Sequence, residues 1–143
     1  MRSLVNKAYD QVLETGKIRL FKSYKPEYKD GEQMRDFLYV KDAVDMTIHL
    51  AVTPSANGLF NIGSGQARRW IDLANAVFAA LSRPAHIEFI EMPKVIRDKY
   101  QYFTQANIEK LKATGYQGPR FTLEQAVADY VQKYLVPHRH LEG

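Results

Sequence analysis

The run Arg35-Asp36-Phe37-Leu38-Tyr39-Val40-Lys41-Asp42 decides how the chain is read. Phe37 to Val40 is a β-prone quartet and predicts a short strand. Asp42 stands where a helix N-cap belongs, and Asp45 falls in the first turn, where the helix dipole favours an acid. The predicted helix, Ala43 to Val52, is apolar almost all round, so burial on more than one side is expected. Arg35 sits at the mouth of the strand. Its planar fork suits a phosphate, and an ion pair with Asp36 or Glu32 accounts for it as well. Asp36 and Asp42 read as structural, holding backbone N–H groups or orienting Arg35. Residue chemistry alone leaves both roles of Arg35 open.

Upstream, Leu4, Val5, Ala8, Val12 and Leu13 form a helical stripe within Met1 to Thr15, and Gly16 is placed to end it in a left-handed cap. Ile18 to Phe21 alternates as a strand. Lys22 to Gln33 is a polar loop anchored by Tyr24, Pro26 and Tyr28. Downstream, Pro54 and Asn57-Gly58 mark a turn, and Leu59 to Ile62 predicts another strand. Gly63-Ser64-Gly65 then reads as a tight strand-to-helix turn in preference to a phosphate nest. It fails as a dinucleotide fingerprint, because the third glycine and the distant acid are missing.

Trp70 to Leu81 has the clearest helical period in the chain, and Ile87 to Ile90 alternates as a strand. Thr104 is placed to cap a short helix carrying Ile108 and Leu111, which stops at Gly115. Thr122 and Gln125 spell a capping box for a last helix running to Leu135 or Val136, with Pro137 beyond. Helices alternating with short strands predict an α/β or α+β class. Four strands of about four residues make a thin sheet. Together with the greasy helix at 43–52, that thinness predicts a missing neighbour.

The 143 residues are 45% hydrophobic and 25% charged, which excludes a disordered or low-complexity chain. There is no cysteine, so a disulfide framework, a thiolate zinc site and a Cys nucleophile are excluded. The four histidines lack metal-ligand spacing, and no serine sits in a nucleophile elbow. The net charge of +4 is unevenly placed: residues 15–41 hold seven Lys/Arg against four Asp/Glu, and residues 42–90 three against four. A local basic patch favours an anionic partner, although a solvated face explains it too.

Arg-Asp-Phe-x-Tyr-Val-x-Asp at 35–42, followed by Gly58-Leu59-Phe60-Asn61-Ile62-Gly63-Ser64-Gly65, resembles the C-terminal half of the extended short-chain dehydrogenase/reductases. These are the NAD(P)-dependent nucleotide-sugar epimerases and dehydratases. Met1 to Gln11, Leu20-Phe21-Lys22-Ser23 and Tyr100 to Asn107, with Leu111 and Gly115-Tyr116, resemble the family's ADP-heptose 6-epimerase branch. Arg97-Asp98-Lys99-Tyr100 departs from the Arg-Pro-Gly-Asp expected of a glucose 4-epimerase. The resemblance covers nearly all of residues 1–136 and leaves 137–143 as a flexible tail.

This resemblance implies an α/β fold: the substrate-binding part of such an enzyme, with a helix and strand (43–52 and 59–62) that normally complete its Rossmann domain. It implies interconversion of ADP-D-glycero- and ADP-L-glycero-manno-heptose by transient NADP-dependent oxidation at C6″. NADP and the catalytic Tyr-x-x-x-Lys pair would belong mainly to an N-terminal domain that this sequence does not contain. By residue match, Arg35 and Tyr100 hold the diphosphate, while Phe21, Lys22, Ser23 and Tyr24 line the nucleotide end. Lys7 falls where the family often has a substrate-contacting His, which changes that contact's charge. Asn107 replaces a usual Asp and reads as a helix-cap change.

No catalytic residue is assigned within the chain, which is expected to be inactive alone. The implied partners are an ADP-heptose-type nucleotide sugar and either a second copy or the missing Rossmann half, in the cytoplasm, with no nucleic acid, membrane or metal. Three other readings stand beside it: another sugar-nucleotide epimerase or dehydratase of the family, a non-catalytic oligomerisation module, and a basic nucleic-acid-binding domain. The last lacks a recognition helix or an aromatic RNA-binding strand.

Overall fold

Helix α1 (Leu4–Thr15) begins where Ser3 Oγ accepts the Asn6 N–H at 3.1 Å, and it ends at Gly16, whose φ of 70° lets its N–H reach the Val12 carbonyl. The structure is a computed structural model that describes residues 3–139; the remainder of the expected tail, 140–143, lies outside the described residues. Strand β1 (Ile18–Phe21) follows the cap directly. β2 (Met34–Asp36), helix α2 (Val40–Val52), β3 (Ala67–Arg69), α3 (Trp70–Ala80) and β4 (Ile87–Ile90) come next. The short helices α4 (Lys94–Arg97) and α5 (Glu109–Lys112) precede α6 (Leu123–Tyr130), which continues into a π-helical turn, Val131–Leu135.

Two small sheets organise these elements. β1 and β4 pair in parallel, Ile18 opposite Ile87 and Leu20 opposite Phe89. β2 and β3 pair antiparallel, Arg35 opposite Arg68 and Asp36 opposite Ala67. The larger apolar core joins α1, β1, α3 and α6 through Val12, Leu20, Leu73, Val77, Phe78, Val127 and Val131. A smaller one forms around Met46, Ile108, Leu111 and Tyr116. The capping box of α6 forms as read, Thr122 with the Gln125 backbone and Gln125 with the Thr122 backbone.

The expected strand at Phe37–Val40 is not there. Pairing ends at Asp36, and α2 starts at Val40 with Tyr39 as its N-cap. Asp42 is not the cap, because its carboxylate is buried in the first turn and accepts the Arg120 backbone N–H at 2.9 Å. The expected strand at Leu59–Ile62 is irregular, with Leu59 93% exposed and no described strand beside it to supply ladder hydrogen bonds. Thr104 does not cap α5; the helix starts five residues later, and Asn107 Oδ1 accepts the Glu109 N–H at 3.0 Å. After Gly65 the chain makes β3 before turning helical. The expected double-sided burial of α2 is also absent among the described residues. Its Met46 side is covered, and Val40, Val44, Ile48 and Val52 stand 63, 51, 57 and 72% exposed.

Candidate functional site

The aromatic residues of the β1 end and of the 100–102 segment meet as a ridge. The Phe21 ring stands edge-on to Tyr100 at 6.1 Å, Tyr100 edge-on to Tyr102 at 5.4 Å, and Tyr102 packs on Tyr28 at 5.3 Å. Such edge-to-face arrangements suit the ring quadrupole. β2 is tied to this ridge by the Met34 N–H, which donates to the Tyr102 carbonyl at 2.7 Å. That tie places the Arg35 guanidinium 5.3 Å from the centroid of the Tyr100 ring, a cation–π geometry. Burial pushes the Tyr100 phenol above its ordinary pKa, against the opposing pull of the Arg35 charge.

Arg35 forms no ion pair among the described residues; its Nη1 donates to the Met34 carbonyl at 2.8 Å. Neither acid considered from sequence is available to it. Glu32 pairs with Arg69 at 3.2 Å. Asp36 is committed to the turn beyond β2: its Oδ1 accepts from the Ser64 N–H (2.7 Å) and hydroxyl (2.6 Å), and its Oδ2 from the N–H of Gly65 (3.0 Å) and Ala106 (2.9 Å). The Gly63-Ser64-Gly65 nest therefore holds an internal carboxylate and is not a phosphate site. Gly63 is required there, since a Cβ would stand 2.3 Å from that of Ala106.

Tyr100 is also one wall of a cavity of about 410 Å³, which Leu4, Gln11, Leu20, Phe21 and Trp70 share, with Arg19, Gln33 and Ile90 completing it. Apolar walls with a few polar groups are the usual composition of a small-molecule site. Lys22 continues β1 by donating its N–H to the Ile90 carbonyl at 2.9 Å. Its ammonium pairs with Glu91 at 2.8 Å. The Ser23 N–H is held by Asp30 at 2.7 Å, and the Tyr24 N–H by the Tyr102 hydroxyl at 2.9 Å.

Phe21, Lys22, Ser23, Tyr24, Arg35 and Tyr100 are thus brought to one side of the molecule. Lys7 stands apart, exposed on α1, although helical spacing puts it on the face that carries Leu4 and Gln11 into the cavity wall. Glu91, Arg97, Trp70 and Tyr102 belong to the same surroundings and were not legible as site residues. Each joins through contacts across long sequence separations that no local motif announces. Among the described residues no group of three or more His, Asp or Glu converges as a metal site, and no helix is long and apolar enough to cross a membrane.

The parallel β1–β4 pair flanked by helices carries the Arg35–Tyr100 contact at its edge, and the fold around it is that of extended short-chain dehydrogenase/reductases. Residues 1–63 match the NAD dependent epimerase/dehydratase family. The chain is related to the ADP-L-glycero-D-manno-heptose-6-epimerase of Nitratidesulfovibrio vulgaris (strain DP4), with 51% identity over 136 residues, 94% of this chain and 42% of that protein. The crystal structure of the Helicobacter pylori ADP-L-glycero-D-manno-heptose-6-epimerase superposes with a TM-score of 0.71 at 25% identity, covering 99% of this chain and 39% of that one. A UDP-N-acetylglucosamine 4-epimerase from Methanobrevibacter ruminantium shares the fold, with a TM-score of 0.75 at 18% identity over 96% of this chain and 40% of its own. The chain spans less than half the length of the curated relatives it matches.

Proposed function

We propose that this chain is the substrate-binding part of a nucleotide-sugar epimerase that interconverts ADP-D-glycero- and ADP-L-glycero-manno-heptose. The observation that carries this reading is Arg35: a guanidinium without an acidic partner among the described residues, held over the ring of Tyr100, which is itself a wall of the neighbouring cavity. A diphosphate supplies the anion that such a fork accepts. Phe21, Lys22, Ser23 and Tyr24 line the nucleotide end, and Lys7, exposed on the α1 face that carries Leu4 and Gln11, is the outlying contact.

The relatives' family implies a nicotinamide dinucleotide, here NADP, which supplies hydride removal and return when bound. The chain's Gly-x-Gly turn is not free to cradle its phosphates, because the Ser64 and Gly65 amides face Asp36. The sequence also holds no Tyr-x-x-x-Lys. The cofactor would therefore be held mainly by polypeptide outside this sequence, and the chain's own share of the work is to bind and orient the nucleotide sugar.

Calorimetric titration with ADP-glucose, a stable ADP-sugar, tests the reading. Binding is expected, weakened at least about 10-fold by Arg35→Ala and only partly recovered by Arg35→Lys, whose point charge lacks the fork. Equal binding by wild type and Arg35→Ala overturns it. A second reading, a non-catalytic association module, draws on the uncovered face of α2. Binding of ADP-glucose that depends on Arg35 argues against that alternative.

A further inference from the structure

We propose that Glu91 is an internal counter-anion, which an incoming diphosphate displaces from Lys22, Tyr24 and Arg97. Three donors, two from the 22–24 stretch after β1 and one from α4, converge on this one carboxylate. Lys22 Nζ lies 2.8 Å from Oε1, Arg97 Nη2 lies 3.5 Å from Oε2, and the Tyr24 hydroxyl donates to Oε2. The Arg97 guanidinium also stacks on the Tyr24 ring, 3.9 Å from its centroid. Two cations and a phenol around one oxyanion are a donor set that holds a phosphate. The hydrogen bonds from Lys22 and Tyr24 hold the Glu91 carboxyl below its ordinary pKa, in keeping with a carboxylate that stays charged among them.

The set is open to exchange. The Glu91 side chain is 62% exposed and that of Lys22 44% exposed. Solvent-exposed pairs hold little net free energy, so replacing a singly charged carboxylate by a more highly charged diphosphate costs little. The place is also right. Lys22 follows Phe21, whose ring meets Tyr100, and the Tyr24 N–H is tied to the Tyr102 hydroxyl. These donors therefore stand on the same aromatic ridge as Arg35. The Lys22–Glu91 contact extends the β1–β4 pairing, since the Lys22 N–H already bonds to the Ile90 carbonyl. β4 thereby delivers Glu91 to the edge where β1 delivers Lys22.

This inference rests on the nucleotide-sugar reading and adds to it the group that sets affinity for the ligand's anionic part. Calorimetric titration of wild type, Glu91→Gln and Glu91→Ala with ADP and with adenosine tests it. Both variants are expected to bind ADP about 5- to 10-fold more tightly, the size of one altered charge-assisted hydrogen bond. Adenosine, without phosphate, is expected to bind all three proteins alike. Unchanged ADP affinity in both variants overturns the inference and leaves the reading standing. A gain that is equal for adenosine and ADP also overturns it, because the effect would not act on phosphate. ADP bound by none of the three proteins overturns the inference and the reading together.

Discussion

The Asp36 carboxylate collects four donors, from Ser64 twice, Gly65 and Ala106, and so fastens two distant segments to the strand that bears Arg35. Asp36→Asn removes the charge and turns one acceptor into a donor facing backbone N–H groups. The loss of charge-assisted hydrogen bonds is expected to cost about 2–3 kcal/mol, read as a lowered urea midpoint. From sequence, Asp36 was legible as structural, a short carboxylate that holds backbone N–H groups or orients Arg35. Which amides it would hold was not, because the turn lies about thirty residues on.

Asp129 makes a pH-dependent counterpart. Its side chain is 8% exposed, and burial would raise its pKa. The hydrogen bonds from Lys133, Lys41 and Tyr39 outweigh that and hold the carboxyl well below the usual range. A group whose pKa is lowered on folding contributes stability above its unfolded value, about 3.9 for Asp, and loses it as the pH falls through the folded value. The urea midpoint of wild type is expected to fall more steeply between pH 5 and pH 2 than that of Asp129→Asn. Parallel slopes would show that Asp129 does not carry this dependence.

Among the elements, those set by local rules were readable. α1 has its apolar stripe and Gly16 stop, α3 its apolar period, and α6 its capping box. Two apolar quartets misled. Phe37–Val40 has strand composition, yet its chain turns into α2, and Leu59–Ile62 has a strand pattern but no partner among the described residues. A strand is completed by its neighbour's N–H and C=O groups, which no local pattern supplies. The same consideration applies to the apolar side of α2, where Val40, Val44, Ile48 and Val52 recur every four residues and remain exposed. Their stripe, with Leu59 close behind in sequence, is apolar surface of the kind that seeks cover. Self-association is expected in light scattering of the purified chain, and Val44→Lys with Ile48→Lys is expected to shift it toward monomer. A strictly monomeric wild type that binds no apolar dye would exclude an association role for this face.

For the whole molecule, binding and turnover are expected to separate. The residues that grip a ligand in the proposed function come from β1 and the loop after it, from β2, from Tyr100 and from α1, and these are anchored on a core shared by α1, α3 and α6. The sequence has no Tyr-x-x-x-Lys to act as an acid/base pair, and its Gly-x-Gly turn is filled by Asp36. The chain, at 42% of the length of its Nitratidesulfovibrio relative, is therefore expected to bind ADP-sugar without interconverting the heptose epimers. Incubation of the pure 143-residue chain with NADP+ and ADP-heptose, followed by separation of the two epimers, checks this. Any turnover above the uncatalysed level would mean that an acid/base pair and a dinucleotide site form from residues assigned here to structure, with Tyr39, beside Lys41 and Asp129, the first place to look. Binding that depends on Arg35, with no epimer formed, is the outcome expected of a substrate site parted from its chemistry.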